Sequence, residues 1–153
     1  MVKKAHTLKN DLIAHTEMGK VCFLSQTYPG KKHDKRICDE EGYSFPHLAE
    51  LAKDTGFQGY EPPGVISYQP KKKPRGSQLT AGERFFNSVI ASLRISVENI
   101  LCGVKRCHIV KDIFRNHRTG FADAAMEIAC GLHNFRVHHR HPAPHFDLLE
   151  LFT

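Results

Sequence analysis

One amphipathic pattern dominates the chain. Phe86, Ile90, Leu93, Val97, Ile100 and Val104 recur at i, i+3 and i+4, which commits this stretch to a long helix with one face turned to a core. Beside that stripe runs a second one. Arg94, Glu98 and Lys105 stand at i, i+4 and i+11, within about 40° of one another at 100° per residue, and Asn87 and Ala91 extend the line. Glu98 is thus a carboxylate at the rim of a core-facing stripe, bracketed by two cations. A metal-binding or phosphate-handling acid would be mounted on a rigid support in this way. A solvent-facing helix with i,i+4 charge pairing would use the same residues.

Signals on both sides set this helix in context. Thr80 caps it, with Glu83 three residues later as in a capping box, and the periodicity predicts a span from about 81 to 115. Gly103 inside it costs roughly 1 kcal/mol and marks a bend or close packing. A second helix is expected from about 119 to 136, with Ala122, Ala125, Met126, Ala129 and Leu132 inward. Upstream, residues 5–16 and 20–28 read as two strands joined by a turn at Met18-Gly19, and Pro29-Gly30 ends the second. Residues 33–42 read as a short helix with Asp34 as N-cap. The apolar set Leu48, Leu51 and Ala52 leads into DTGFQGY (54–60), a strand end followed by a tight turn. Residues 61–78 are rich in Pro, Gly and Lys, with a strand candidate at Val65–Tyr68. Strands precede helices, which points to the α/β class with an α+β-like mixed sheet.

A length of 153 residues suits one domain. The net charge of +6 and 11 histidines favour a polyanionic partner. No apolar run approaches ~18 residues, so no membrane span is expected, and MVKKAHTLKND has no apolar core of a secretory signal. The five cysteines are odd in number and lack a CxxC pair, which suggests reduced thiols in a cytosolic protein. Cys102, Cys107 and His108 along one predicted helix are a poor zinc site.

With Asp54 in DTGFQGY and R-x3-E-x6-K in the long helix, the chain resembles the bacterial insertion-sequence transposases of the DDE superfamily, whose fold is RNase H-like. The helix spacing is that of the superfamily's Y-x2-R-x3-E-x6-K signature, except that Ala91 stands at the tyrosine position. KKAHTLKN (3–10) resembles the family's second strand, YPGKKHDKRICDE (28–40) the loop after its third, and PKKKPRGSQLT (70–80) the basic segment before the Glu-bearing helix. The resemblance covers most of residues 3–137, which would make 1–137 a partial DDE endonuclease domain and 138–153 a His-rich tail.

In the family three acids hold two divalent metals. The resemblance assigns Asp54 to the second Asp and Glu98 to the Glu, as catalytic and metal-binding residues. The first Asp belongs on a central strand upstream of residue 3, so the RNase H-like fold is expected to be incomplete, poorly stable alone and inactive alone. Asp11 and Asp34 match no catalytic position. The implied chemistry is Mg²⁺- or Mn²⁺-dependent cleavage and strand transfer of DNA, both transposon ends and target, in the complete protein. Arg94 and Lys105 would hold DNA phosphates or orient the carboxylate, with an i,i+4 pair to Glu98 as the alternative for Arg94. Lys71, Lys72, Lys73 and Arg75 would contact DNA from a flexible segment, or form a solvated loop. An upstream reading frame joined by frameshifting, or a second protomer, would complete the enzyme. A DNA-binding remnant and an inert fragment of a decayed element are the competing readings. The implied location is the bacterial cytoplasm, at the nucleoid.

Overall fold

The computed structural model describes residues 7–140 apart from 74, 77 and 117. Its first element is a long, interrupted hairpin. Strands β1 (Leu8–Lys9) and β2 (Leu12–His15) form one arm, and β3 (Lys20–Leu24) and β4 (Tyr28–Pro29) the other, with β1–β4 and β2–β3 antiparallel. Gly19 takes the turn at φ 64, the left-handed region in which a Cβ is costly. Side chains bridge the interruption. Asp11 N–H donates to Ser25 Oγ at 2.8 Å, and Asn10 Nδ2 donates to Ser25 O at 3.1 Å and Thr27 Oγ1 at 3.0 Å.

Helix α1 (Asp34–Glu41) follows. The expected cap is corrected: the N-cap is His33, without a side-chain cap bond, and Asp34 opens the first turn. Its carboxylate is 2.7 Å from Lys9 Nζ, a better partner than the helix's own amides, and an acid there still suits the helix dipole. Strands β5 (Glu50–Ala52) and β6 (Ile66–Tyr68) pair in parallel, and the 3₁₀ turn Thr55–Phe57 follows β5, in keeping with the glycines of DTGFQGY. Leu48 does not join the core. It stands exposed at φ 62, its N–H bonded to Gly64 O.

The α/β class holds, but the single mixed sheet does not. Among the described residues the strands form three separate two-stranded sheets, and β2 and β5 do not pair.

Helix α2 (Ala81–Val104) starts at the expected capping box, with Glu83 N donating to Thr80 Oγ1 and Thr80 N to Glu83 Oε2. It stops eleven residues short of the expected end, and a short helix α3 (His108–Lys111) follows. The physical reason lies in the stripe. Past Val104 its next positions would be His108 and Lys111, both polar. Breaking the helix lets Cys107 and Val110 pack on the core instead. Cys102 and Cys107 therefore do not share a helix. Gly103 marks close packing rather than a bend: a Cβ there would collide with the His133 ring.

Helix α4 (Phe121–Arg140) lies across the hairpin and α2. The core gathers Val21, Ile100, Val104, Ala129 and Cys130. Leu132, expected inward, is exposed, and His133 is buried in its place. His133 Nε2 lies 2.9 Å from Gly19 O, and Arg136 Nη2 donates to Gly103 O at 2.6 Å. Polar anchoring, invisible to a hydrophobic count, sets the rotation of α4. Helix α4 also runs through His138 and His139, which the sequence places in a tail; His141 and His145 lie outside the described residues.

By length and composition, with mean hydropathy 1.2, α2 is apolar enough to cross a membrane, contrary to the expectation of no such run. In the fold Ile90, Ile100 and Val104 of this helix are buried, while Phe85, Val89 and Ile95 are exposed.

Candidate functional site

Asp54 leaves β5 with an extended backbone, and its carboxylate caps the following turn: Oδ1 accepts from Thr55 N at 2.7 Å. Its carbonyl accepts from Gln69 Nε2 at 2.8 Å, which ties it to the residue after β6. The loop behind it is held by Lys53, whose buried Nζ is 2.8 Å from Glu61 Oε1 and also donates to Tyr60 O. Asp54 is therefore fixed on three sides while its side chain remains half exposed, at 49%.

Helix α2 brings Arg94 to it. Arg94 Nη1 is 3.7 Å from Asp54 Oδ1. The i,i+4 pair with Glu98 that the sequence allows is not formed; among the described residues the guanidinium turns to Asp54, and no ion pair engages Glu98. Both groups of the Arg94–Asp54 pair are about half exposed, so the pair orients more than it stabilises, contributing on the order of 0–1 kcal/mol. Asp54, Arg94 and Glu98 all line one cleft of about 580 Å³, to which β2, β5 and α2 contribute walls. Lys105 does not line it. It is the exposed C-cap of α2.

The basic segment is anchored to the same helix. Asn87 clasps the backbone of Lys71, accepting from its N–H and donating to its carbonyl, both at 3.0 Å. Lys71 Nζ reaches Glu83 Oε1 at 3.2 Å, and Lys72 Nζ donates to Gln58 Oε1 at 2.7 Å beside the Asp54 turn. Lys73 and Arg75 are exposed. Asn87, legible in the sequence only as an extension of the charged stripe, is the residue that positions these cations.

A further acid on the cleft was not marked as a site by sequence. Asp11, in the break between β1 and β2, is buried and lines the cleft. Cys38 Sγ and Tyr43 OH each donate to its Oδ2 at 3.4 Å. Burial pushes the Asp11 carboxyl above its usual range, only partly offset by those two hydrogen bonds. Burial, and then the Asp11 charge, push the Cys38 thiol up to about 12 and the Tyr43 phenol upward, so both remain protonated donors at neutral pH. The only sequence signal was a lone acid directly before the apolar residues Leu12, Ile13 and Ala14.

A pH effect follows. The native state holds the Asp11 proton more tightly than the unfolded chain does, so this group's contribution to stability falls as pH rises from its ordinary value of 3.8 through the raised native value. Wild type is expected to lose stability relative to Asp11→Asn over that window. Denaturant midpoints of both proteins at about pH 4 and about pH 7 check it; a pH-independent difference would overturn it.

As donors, Asp54 and Glu98 offer hard carboxylate oxygens on one cleft, the type that Mg²⁺ or Mn²⁺ accepts. Among the described residues no group of three or more His, Cys, Asp or Glu could hold a metal. These two acids would supply part of a coordination shell, as suits an ion that keeps several waters. The five cysteines are unpaired.

The family model of the DDE superfamily endonucleases matches residues 1–134. A probable transposase for insertion sequence element IS702, from Microchaete diplosiphon, is 30% identical over 132 residues, covering 86% of this chain. The chain spans about half, 47%, of that relative's length. No solved structure matches. By the span of that family match, the chain belongs to the DDE superfamily of endonucleases.

Proposed function

We propose that this chain forms the part of a metal-dependent DNA strand transferase that carries two of its acids, Asp54 and Glu98. The observation that supports this reading is their shared cleft: an acid at a strand end and an acid on a distant helix line one cavity, with Arg94 of that helix beside the first acid. Mg²⁺ or Mn²⁺, when bound, supplies Lewis acidity to the attacking and leaving oxygens of an in-line phosphodiester displacement. Asp54 and Glu98 would hold it, and Arg94 keeps the Asp54 carboxylate turned to the cleft. Arg94 also offers a bidentate fork, and Lys105 a point charge, to DNA phosphate.

The cleft also supports the incomplete RNase H-like reading. Strands β2 and β5 both contribute to its walls without pairing with one another. We place the family's Asp-bearing first strand there, supplied by an upstream frame or a second protomer, with 1–137 as the partial domain. Unfilled, the open strand edges would make this chain self-associating and inactive. The test joins such a strand to the chain and measures Mn²⁺-dependent nicking of DNA ends. Activity that is unchanged in Asp54→Asn or Glu98→Gln overturns the assignment.

A second reading, metal-independent DNA binding, is favoured by the Asn87-anchored lysines. Substituting Lys71, Lys72 and Lys73 by Ala is expected to shallow the log–log salt dependence of DNA binding by about 0.9 for each phosphate left unneutralised, and so by up to about 3. Binding titrations at several salt concentrations check this. An unchanged slope would leave these lysines as a solvated loop.

A further inference from the structure

We propose that the outer face of α4 is the docking site for residues 146–152 of the same chain, the segment FDLLELF. The geometry points to this in three steps. First, α4 has an uncovered apolar face. Ile128, Leu132 and Phe135 are 63%, 49% and 61% exposed, although the opposite side of the same helix, Ala125, Ala129, Cys130 and His133, is buried. At 100° per residue Phe121, Ala124, Ile128, Gly131, Leu132 and Phe135 fall within about 60° of a common line, and no charged residue interrupts it. An uncharged stripe of this length on a helix already packed on its other side is what a second packing partner covers.

Second, the sequence that follows α4 has the matching chemistry. Residues 141–153 lie outside the described residues and read HPAPHFDLLELFT. Phe146, Leu148, Leu149, Leu151 and Phe152 offer apolar surface, and Asp147 and Glu150 carry only negative charge. The last turn of α4 is basic, with His138, His139 and Arg140. His139 already packs edge-on against Phe135, with ring centroids 4.3 Å apart, so this basic end adjoins the apolar face. A second copy of α4 would bring like charge to the same place.

Third, the reach is right. Pro142 and Pro144 disfavour continuation of the helix past Arg140. The five residues 141–145 span at most about 17 Å. Measured back along α4 at 1.5 Å per residue, Phe135, Leu132 and Ile128 lie about 8, 12 and 18 Å from Arg140, and Phe121 about 29 Å. A tethered FDLLELF therefore reaches the C-terminal half of the stripe, at the high effective concentration of a short linker.

The chain contains no tryptophan, so one placed at Phe152 is a unique reporter. In the full 153-residue chain, Phe152→Trp is expected to show blue-shifted emission and iodide quenching reduced severalfold relative to free tryptophan, independent of protein concentration. Adding Leu132→Glu and Phe135→Glu, both at exposed positions that the fold does not require, should restore the emission and quenching of an exposed indole. Exposed-type emission before those substitutions, or a blue shift that they leave intact, overturns the proposal. A blue shift lost on dilution also overturns it, by assigning the face to a second copy. Hydrogen exchange on the unsubstituted chain gives an independent readout: amides 146–152 should be protected, and exchange at unstructured-peptide rates would count against docking.

Discussion

Replacing Glu98 by glutamine, in the chain joined to the strand proposed to complete it, is expected to lower metal-dependent nicking of DNA by about a thousandfold or more. The size of the effect follows from the chemistry. Charge stabilisation through a bound divalent ion supplies several kcal/mol at the transition state, and about 4 kcal/mol corresponds to about a thousandfold in rate. Glutamine keeps the size and helix preference of glutamate but removes the charge. Glu98 is exposed and makes no ion pair among the described residues, so fold and stability should hardly change. Asp54→Asn should cost a similar factor. It also weakens the hold on Arg94 and the cap on Thr55. The two losses should not add, since both residues would serve one metal site. Steady-state nicking with Mn²⁺, alongside circular dichroism of each variant, checks the pair. Full activity in either variant would remove that residue from the site.

The largest structural effect is expected at Asn134. Its side chain acts as an extra peptide unit on the edge of β3: Oδ1 accepts from Val21 N–H and Nδ2 donates to Val21 O, both at 2.8 Å. Val21 is buried in the core, so Asn134→Ala leaves a donor and an acceptor unpaired away from water. At about 1–3 kcal/mol for each orphaned group, the loss is about 2–6 kcal/mol. For a domain of this size each kcal/mol shifts Tm by about 2–4 °C, so a fall of roughly 4–24 °C is expected in a thermal melt. Asn134→Asp keeps the acceptor but loses the donor to Val21 O, and should fall in between. A Tm within a degree or so of wild type for Asn134→Ala would mean that apolar packing alone seats α4.

This anchor shows why some of the fold was not legible in the chain. The start of α2 was, because a capping box is satisfied by residues three apart. So was the hairpin turn at Gly19, which needs a left-handed residue whatever surrounds it. The end of α2 was not. It depends on which of residues 107–111 find a core to enter, and that core is built by Val21 and Ala129 from opposite ends of the chain. The inward face of α4 was misjudged by one position for the same kind of reason: His133 has a partner in Gly19 O across the fold, and Leu132 has none on that side.

For the candidate site the division is similar. Asp54 and Glu98 stood out as an acid in a glycine-flanked strand end and an acid on a charged helical stripe, patterns set by neighbours within a few residues. The choice of Arg94's partner was beyond the sequence, because Glu98 and Asp54 compete for one guanidinium, and the approach of β5 to α2 favours Asp54. Asp11's burial beneath Cys38 and Tyr43 was equally hidden.

By itself, then, the sequence determined the elements, the caps and turns that bound most of them, and the residue types available to a hard metal ion. Each of these rests on short-range sterics and hydrogen bonding. Only the tertiary structure decided where α2 ends, which way α4 faces and which charges meet on the cleft. Those outcomes depend on desolvation and on partners far apart in the chain, which no local pattern encodes.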